Sequence, residues 1–514
     1  MSRINTNIQS MVAQRVLGQN NNGLSTALQR LSTGLRINRG KDDPAGLIAS
    51  ETLRSQTRAI GAAIGNAERA DTVVNIAEGG LQEVSSLLTE LQGLLTASAN
   101  KAGVSSEELA ANQLQIDSIL QTIDRVAGAT SFQGTKLLNG SFDYDTTSVS
   151  SNVSDYRVNG AKFESGSLDV SVIVTQSAQQ GSLYLSLGGG TLDLGGTANV
   201  TSSFTIEIAG ALGSRELTFS SGQTLAQMVA AINTFSDVTG VVADTSTVTG
   251  SAATGITLRS RNYGSDQFVS LRVTDNGSIG TDDSIGIYTF EANDTNTVDT
   301  NTLVTFESTS AANGFKDAGL DINGTINGVA ATGKGRSISI NTDYLDIEMT
   351  LDASGSQTLG AISALTIQGG GADFMLAPDV DISGKVSLGV ANIASRKLGD
   401  SSSGFLNELG SGKTFDVTRT ASLSTAQEIV DKSIKQVSSL RGRLGAFQTN
   451  VVGATIRSLG VALENTAAAE SVIRDTDFAK ETASLTRNQI LVQAATNTLS
   501  LANSQPQSVL QLLG

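Results

Sequence analysis

The chain is patterned around an apolar stripe that recurs every three or four residues between Leu53 and Leu95. After Leu53, its members are Ile60, Ala63, Ala67, Ala70, Val74, Ala77, Leu81, Val84, Leu88, Leu91 and Leu95. A period of about 3.5 residues is typical of a helix that winds around another helix. The pattern predicts a long helix whose partner must come from elsewhere in the chain.

A second stripe of similar length lies near the other end. Its members are Ala426, Val430, Val437, Leu440, Leu444, Phe447, Val451, Ala454, Val461 and Ala468. Because each stripe must bury its apolar side, we expect the two helices to pack together and bring the chain ends close. An ordinary helical bundle core is the alternative interpretation of either stripe taken alone.

The extreme ends carry two more stripes, which we predict to be an assembly interface. Their members are Ile4, Ile8, Met11, Leu24, Leu28, Leu31 and Leu35 at the front, and Phe478, Leu485, Val492 and Leu499 at the back. The segment Asn20–Gly23 is a poor helix former, so the first helix is weak alone. We expect it to be ordered only when another surface covers its apolar side. Pro506 is predicted to end the last helix.

Capping signals divide the helical ends into elements. Asp43 followed by Pro44 predicts an N-cap and the first helical residue of the central helix. Ser105 has capping-box spacing for a third helix, and Ser424 for the helix of the second stripe.

Between residues 141 and 395 the pattern changes to alternating apolar and polar positions, as in Leu168–Val174 and Phe204–Ile208. Such alternation predicts half-buried strands. Only Leu225–Phe235 has clear helical spacing there. We expect two lobes, with residues 196–305 as the inserted outer one. The fold class is α + β multidomain: a long helical coiled coil or bundle of paired N- and C-terminal segments, with β-rich central outer domains.

Composition removes most catalytic chemistry. The chain contains no Cys, His or Trp. It therefore lacks a Ser-His-Asp triad, a thiol nucleophile and the usual zinc ligands. Acidic pairs such as Asp379 and Asp381 fit solvated turns, because the remaining ligands of a calcium loop are missing. We predict no catalytic site, no cofactor, no metal site and no enzymatic activity.

The negative charge is concentrated in the middle. Residues 141–395 contain 10 basic and 27 acidic residues, a balance of −17, whereas the whole chain carries −15 and the flanks therefore +2. An acidic middle argues against nucleic acid or an anionic membrane as partner. The sequence has no secretory apolar segment and no apolar run of membrane-spanning length, which by itself indicates a cytosolic protein.

A charged loop separates the first two helices. Its residues are Arg36, Arg39, Lys41, Asp42 and Asp43. Such a run is usually a solvated loop. The alternative is a contact with neighbouring subunits at the joint between two helical layers.

Several segments resemble bacterial flagellin. They are Ile4–Met11, Arg30–Asn38, Asp42–Gly46, Ile123–Val126, Arg443–Gln448, Ile473–Ala479 and Gln505–Leu513. The resemblance covers about 140 residues at the front and about 120 at the back, in the right order. The segment Phe204–Val273 is similar to a module inserted in many flagellins.

The resemblance implies a layered filament subunit. Residues 1–42 with 473–514 would form the inner coiled coil, residues 43–140 with 396–472 the surrounding helical shell, and residues 141–395 the exposed outer domains. Flagellins leave the cell unfolded through the flagellar export channel without a cleaved signal peptide, which contradicts the cytosolic interpretation. The implied partners are further copies in a helical homopolymer, an export chaperone on the helix Phe478–Leu513, and the filament cap and junction proteins.

Three positions correspond to the site that a vertebrate innate receptor reads on some flagellins. Those flagellins carry an arginine where this chain has Glu90 and an acid where it has Gln115, whereas Leu94 matches. The departure predicts weak or no receptor activation.

The alternatives to a filament subunit are a hook-filament junction protein, which shares the terminal helices, and a filament-displayed adhesin. A metallopeptidase carried on the filament needs a His-Glu-x-x-His motif, which a chain without histidine cannot supply.

Overall fold

The computed structural model describes residues 6–100, 103–163, 166–194, 203–245, 254–277, 279, 284–291, 294–419 and 423–513. Its contacts divide the chain into two units. The first, here called the terminal unit, comprises Met1–Val74, Phe374–Lys385 and Gly445–Gly514. The second, the central unit, comprises Asn75–Asp373 and Val386–Leu444.

The described residues form ten α-helices, six of them long. In chain order they are α1 (Ile8–Thr33), α2 (Pro44–Ser98), α3 (Ser106–Ala129), α4 (Leu225–Asn233), α5 (Ser236–Thr239), α6 (Thr309–Asn313), α7 (Ala353–Gln357), α8 (Leu423–Ala446), α9 (Gly453–Arg474) and α10 (Phe478–Leu513).

Helix α2 carries the stripe predicted from the sequence. Every stripe member from Ile60 to Leu95 is buried, and Leu53 is half-buried. Within the central unit, two polar contacts join α2 to α8. Arg441 Nε lies 2.8 Å from Glu78 Oε1, and Gln92 Nε2 donates to Asp431 Oδ1 at 2.6 Å. The predicted pairing of the two stripes is therefore confirmed for this part of the chain.

The capping predictions are confirmed at two of three sites. The amide of Gly46 donates to Asp43 Oδ1 at 2.9 Å, and that of Glu108 donates to Ser105 Oγ at 3.2 Å. Each side chain thus satisfies a helix N–H that has no partner within its helix. Helix α8 begins at Leu423, so Ser424 lies inside its first turn and not before it.

A π-helical turn, Phe447–Val452, interrupts the second stripe. Up to Phe447 the predicted members are buried, but the next buried residue is Val452 and not Val451. A π turn holds one residue more than an α turn, so it shifts the phase of everything after it. The predicted burial of Val451, Ala454, Val461 and Ala468 is therefore wrong, and none of the residues of α9 is fully buried.

Strands fill the middle of the chain, as predicted. They are β1 (Ser131–Phe132), β2 (Thr135–Lys136), β3 (Tyr144–Thr147), β4 (Val153–Ala161), β5 (Leu168–Gln176), β6 (Ser182–Ser186), β7 (Ser203–Gly210), β8 (Ser214–Ser220), β9 (Val241–Asp244), β10 (Gly255–Ser260), β11 (Phe268–Asp275), β12 (Gly286–Glu291), β13 (Asp294–Val298), β14 (Phe315–Ala318), β15 (Asn323–Ile326), β16 (Val329–Lys334), β17 (Ser337–Asn341), β18 (Leu345–Leu351), β19 (Gly360–Gly370), β20 (Ala372–Met375), β21 (Lys385–Leu388), β22 (Gly399–Asp400) and β23 (Gly404–Phe405).

Two β bodies follow from the strand order. The first is an antiparallel eight-stranded sheet in the order β3-β19-β5-β15-β16-β17-β18-β4, with a core that includes Val172, Ile326 and Ile347. The second contains a five-stranded sheet (β13-β12-β6-β10-β9) and a four-stranded sheet (β14-β11-β7-β8). Helix α4 packs its Met228 into the core of this second body with Phe204 and Leu258.

The second body is an insertion between β5 and β15 of the first. Its strands run from Ser182 to Ala318, so it extends beyond the expected range of residues 196–305 at both ends. An isolated bridge between Gln179 and Leu320 closes its base, and Asp321 links the two bodies. The Asp321 carboxylate accepts from the amides of Ser265, at 3.1 Å, and Gly335, at 2.6 Å.

Candidate functional site

The terminal helices α1 and α10 form an antiparallel pair. Asn7 Nδ2 donates to the Ala502 carbonyl at 2.8 Å, and Asn20 Nδ2 donates to the Leu491 carbonyl at 3.3 Å. Near the other end of α1, Arg30 Nη1 lies 3.9 Å from Glu481 Oε2. The surface that covers α1 is therefore supplied by the same chain, and α1 runs without a break through Asn20–Gly23.

Small residues occupy the line where the two helices touch. Among the side chains that the structure describes, the buried apolar residues of the pair are Ala13, Ala27, Ala495 and Ala502. A β-carbon placed on Gly23 would lie 3.2 Å from Asn488 Nδ2. Such close approach leaves little room for large side chains between the helices, so most of them lie at the edges of the contact.

The predicted assembly residues that the structure describes are accordingly exposed or half-buried, and none is fully buried. Ile8, Met11, Leu28 and Phe478 are exposed, and Leu24, Leu31, Leu35, Leu485, Val492 and Leu499 are half-buried. Ile4 lies outside the described residues. The structure adds apolar residues that the sequence reasoning missed: Val12, Val16, Ile490, Leu491 and Leu501 are also exposed. Ile8, Val12 and Val16 line one side of a shallow groove whose other side includes Leu491.

Pro506 lies within α10, contrary to the prediction that it ends the helix. A proline has no N–H, so the carbonyl four residues earlier, that of Ala502, loses its helical donor. The side chain of Asn7 supplies the replacement at 2.8 Å. Its Oδ1 also caps α1 by accepting from the Ser10 amide at 3.0 Å. One side chain thus satisfies both helices.

The charged loop between α1 and α2 pairs with the connection between α9 and α10. The Arg36 amide donates to the Arg474 carbonyl at 2.7 Å, and the Thr476 amide donates to the Gly34 carbonyl at 2.9 Å. Arg36 Nη2 also donates to the Ile473 carbonyl at 2.6 Å. Arg36 is thereby committed to its own chain, whereas the side chains of Arg39 and Lys41 are exposed.

The acids of this loop shape its backbone. Asp42 Oδ2 accepts from the amides of Arg39 and Asn38, at 2.9 and 3.2 Å. The Arg39 amide is the main reason that the pKa of Asp42 lies below its usual value. Asp43 is the N-cap of α2, so both carboxylates are engaged within the loop.

The three receptor-site equivalents lie beside the buried stripe of α2 and on α3. Glu90 and Gln115 are exposed and Leu94 is half-buried. Elsewhere in the described ranges, no three acidic side chains converge as a metal site would require. None of the helices that the structure describes is long and apolar enough to span a membrane.

The double role of Asn7 predicts an asymmetric response to substitution. Asn7→Asp keeps the cap oxygen but removes the donor to Ala502, leaving that carbonyl beside a carboxylate. We expect a loss of about 1–3 kcal/mol in local stability at the end of α10, measured as faster amide exchange over residues 496–505.

Asn20→Asp is the matched control for Asn7→Asp. It also removes an amide donor, but the Leu491 carbonyl keeps its bond within α10, so amide exchange should change little. Equal effects of the two substitutions would contradict the role assigned to Asn7.

The lowered pKa of Asp42 predicts how the loop responds to acid. The bonds from Asn38 and Arg39 stabilise the ionised carboxylate, so their contribution is complete above the ordinary pKa of 3.8 and is lost as the pH falls through the lowered value. Amide chemical shifts of Asn38 and Arg39 should titrate with a midpoint below 3.8. Asp42→Asn should abolish this titration, and a midpoint at or above the ordinary value would refute the assignment.

Comparison with known proteins matches both helical ends. The model of the bacterial flagellin N-terminal helical region matches residues 4–143, and that of the C-terminal helical region matches residues 427–513. The solved structure of FliC from Burkholderia pseudomallei is 14% identical and covers 74% of this chain and 99% of its own, with a TM-score of 0.23.

Known relatives match along the whole length. Flagellin B of Helicobacter pylori strain J99 is 29% identical over 99% of this chain and 99% of its own. Flagellin D of Vibrio anguillarum is 26% identical with the same coverage of both chains. Both terminal regions thus match flagellin models, and the chain is similar to bacterial flagellins from end to end.

Proposed function

We propose that the chain is a filament subunit whose terminal helices carry an unfinished apolar surface, and that neighbouring copies complete it. The observation that carries the proposal is the exposure of large apolar side chains on both edges of the α1–α10 pair. Large apolar side chains that are exposed close to one another mark a binding interface. A contact between different faces of identical subunits repeats from copy to copy, and it yields a helical polymer when its rotation does not close into a ring.

The same proposal assigns layers to the chain. Residues 1–42 with 473–514 form the inner coiled coil, residues 43–140 with 396–472 the helical shell, and residues 141–395 the outer domains. The concentration of acid in residues 141–395 supports their exposure, because like charges on neighbouring copies repel and favour solvent.

Location and further partners are part of the proposal. The similarity to flagellins supports a place in the extracellular flagellar filament, and we infer that export proceeds without a cleaved signal peptide. The open apolar edge of α10 is the surface that an export chaperone would cover before assembly, and the filament cap and junction proteins would contact the same terminal helices. End-to-end similarity to flagellins supports a filament subunit over a junction protein or an adhesin.

Met11→Asp tests the proposed interface. Met11 is 63% exposed, so the change should leave the fold of the single chain intact. In the polymer it would bury an unpaired carboxylate, and we expect the critical concentration of seeded polymerisation to rise at least about tenfold. Sedimentation of polymer after seeding measures this concentration.

Leu212→Asp is the matched control, since Leu212 is 66% exposed on the β7–β8 hairpin of the inserted body. It should leave the critical concentration unchanged. Polymerisation of Met11→Asp at the concentration of the unmodified protein would refute the assembly surface.

The receptor-site positions generate a gain-of-function test. The unmodified protein should activate the vertebrate innate receptor weakly or not at all, because Glu90 and Gln115 depart from the arginine and the acid of activating flagellins. Restoring both, with Glu90→Arg and Gln115→Glu, should raise the response of reporter cells by about tenfold or more.

Glu83→Arg, at another exposed acid of α2, controls for the change in charge and should give no gain. Strong activation by the unmodified protein would show that these positions do not set receptor recognition in this chain.

A further inference from the structure

A short loop between β20 and β21 presents the most exposed large apolar side chain among the described residues. The loop, here called the finger, comprises Leu376–Gly384 and belongs to the terminal unit. Val380, at its tip, is 87% exposed. Asp379 and Asp381 flank it and are exposed as well. Because the side chain of Val380 is almost fully exposed, it contributes little to the folding of a single chain.

The finger is built to hold this tip in place. Asp381 Oδ1 accepts from the Gly384 amide and the Ser383 hydroxyl, both at 2.8 Å. At its base, the Leu376 amide donates to the Gly384 carbonyl at 3.0 Å, and the Leu376 side chain is buried. A β-carbon on Gly384 would lie 2.6 Å from that of Ala377, so only glycine fits there. A rigid display loses little conformational entropy on binding.

The base of the finger is anchored to a helix. The rings of Phe374 and Phe447 lie with their centroids 5.9 Å apart, within the terminal unit. Phe447 is the first residue of the π turn. The finger therefore projects from the helical part of the chain and not from the inserted body.

Charge complementarity favours a basic surface as the partner of an acidic finger, and the chain itself contains one. Residues 141–395 carry a net charge of −17 and would repel it, whereas the flanks carry +2. On the α1–α2 loop, Arg39 and Lys41 expose their side chains while the acids of that loop are engaged with its backbone. Ile48 on α2 is 70% exposed. Arg39, Lys41 and Ile48, here called the loop patch, thus combine an apolar residue with two cations.

We propose that the finger of one copy docks on the loop patch of a neighbouring copy, with Val380 against Ile48 and the two carboxylates against Arg39 and Lys41. The contact joins two different faces, so it is head-to-tail and can repeat from copy to copy along a polymer. The proposal rests on the proposed function, since it names one contact of the polymer. The proposal gives the charged loop a binding partner and the finger a function in assembly.

Charge exchange tests the contact. Asp379→Lys with Asp381→Asn reverses the finger, and the asparagine keeps the turn because it retains the acceptor oxygen. Arg39→Glu with Lys41→Glu reverses the loop patch. We expect each pair of substitutions to raise the critical concentration of seeded polymerisation by about tenfold, and all four together to return it to within about threefold of the unmodified value.

Glu216→Lys, at an exposed acid on β8, is the matched control and should leave polymerisation unchanged. The effects of finger and loop reversal should shrink at high salt, because exposed charges are screened. Failure of the unmodified protein to polymerise would overturn the proposed function and this contact together. Normal polymerisation of both reversed proteins, or no recovery in the fourfold variant, would overturn the contact alone.

Crosslinking gives an independent readout, since the chain contains no cysteine. In polymer formed by Val380→Cys/Ile48→Cys, a short bismaleimide should link each copy to the next and give a ladder of multimers on a denaturing gel. Either single substitution should give no products beyond a dimer. A double variant that polymerises but gives no ladder would show that the finger docks elsewhere.

Discussion

A pair of helices buries only the faces that its members turn towards each other, and in the terminal pair those faces carry alanine. The two backbones approach closely at Ala13, Ala27, Ala495 and Ala502. Because alanine is small, each of these contacts removes little apolar area from water. The larger aliphatic side chains are left at the edges. The exposed apolar edges of the pair are thus a direct consequence of how little apolar surface the contact between the two helices buries.

The central unit meets the opposite demand, because each of its β bodies closes its own core. The inserted body buries Phe204, Met228 and Leu258 without help from the helical ends, and the eight-stranded body buries Val172 and Ile347. Because the two cores are separate, the chain passes into the inserted body and back at a single place. There the bridge between Gln179 and Leu320 joins the two crossing segments. The ends and the middle of the chain therefore solve separate folding problems.

Much of this was predictable where local chemistry decides the outcome. The α2 stripe from Ile60 to Leu95, the caps at Asp43 and Ser105, and the helix that begins at Leu225 all follow from spacing and from short-range hydrogen bonds. The β-rich middle follows from alternation. These features need no knowledge of distant residues.

The remaining features depend on contacts between distant residues. Pro506 is accommodated because Asn7, almost five hundred residues earlier, donates to the carbonyl that the proline leaves without a donor. The heptad pattern favoured large aliphatic residues for the terminal contact, whereas the pair uses alanine, which the sequence reasoning gave too little weight. A π turn leaves no simple mark in hydrophobic spacing, because the sequence reads equally well with Val451 or Val452 on the buried side.

The choice between Val451 and Val452 as the buried residue has a consequence for α9, the helix that follows the π turn. Each residue turns an α-helix by about 100°. The one additional residue in the π turn therefore changes the direction in which every side chain after Val452 points around the helix axis. At the end of the turn Val452 is buried, whereas Val451 and Ala454 are half-buried and Val461 and Ala468 are exposed. Burying Val451 instead of Val452 would rotate the apolar side of α9 about the helix axis without any change in the amino-acid sequence.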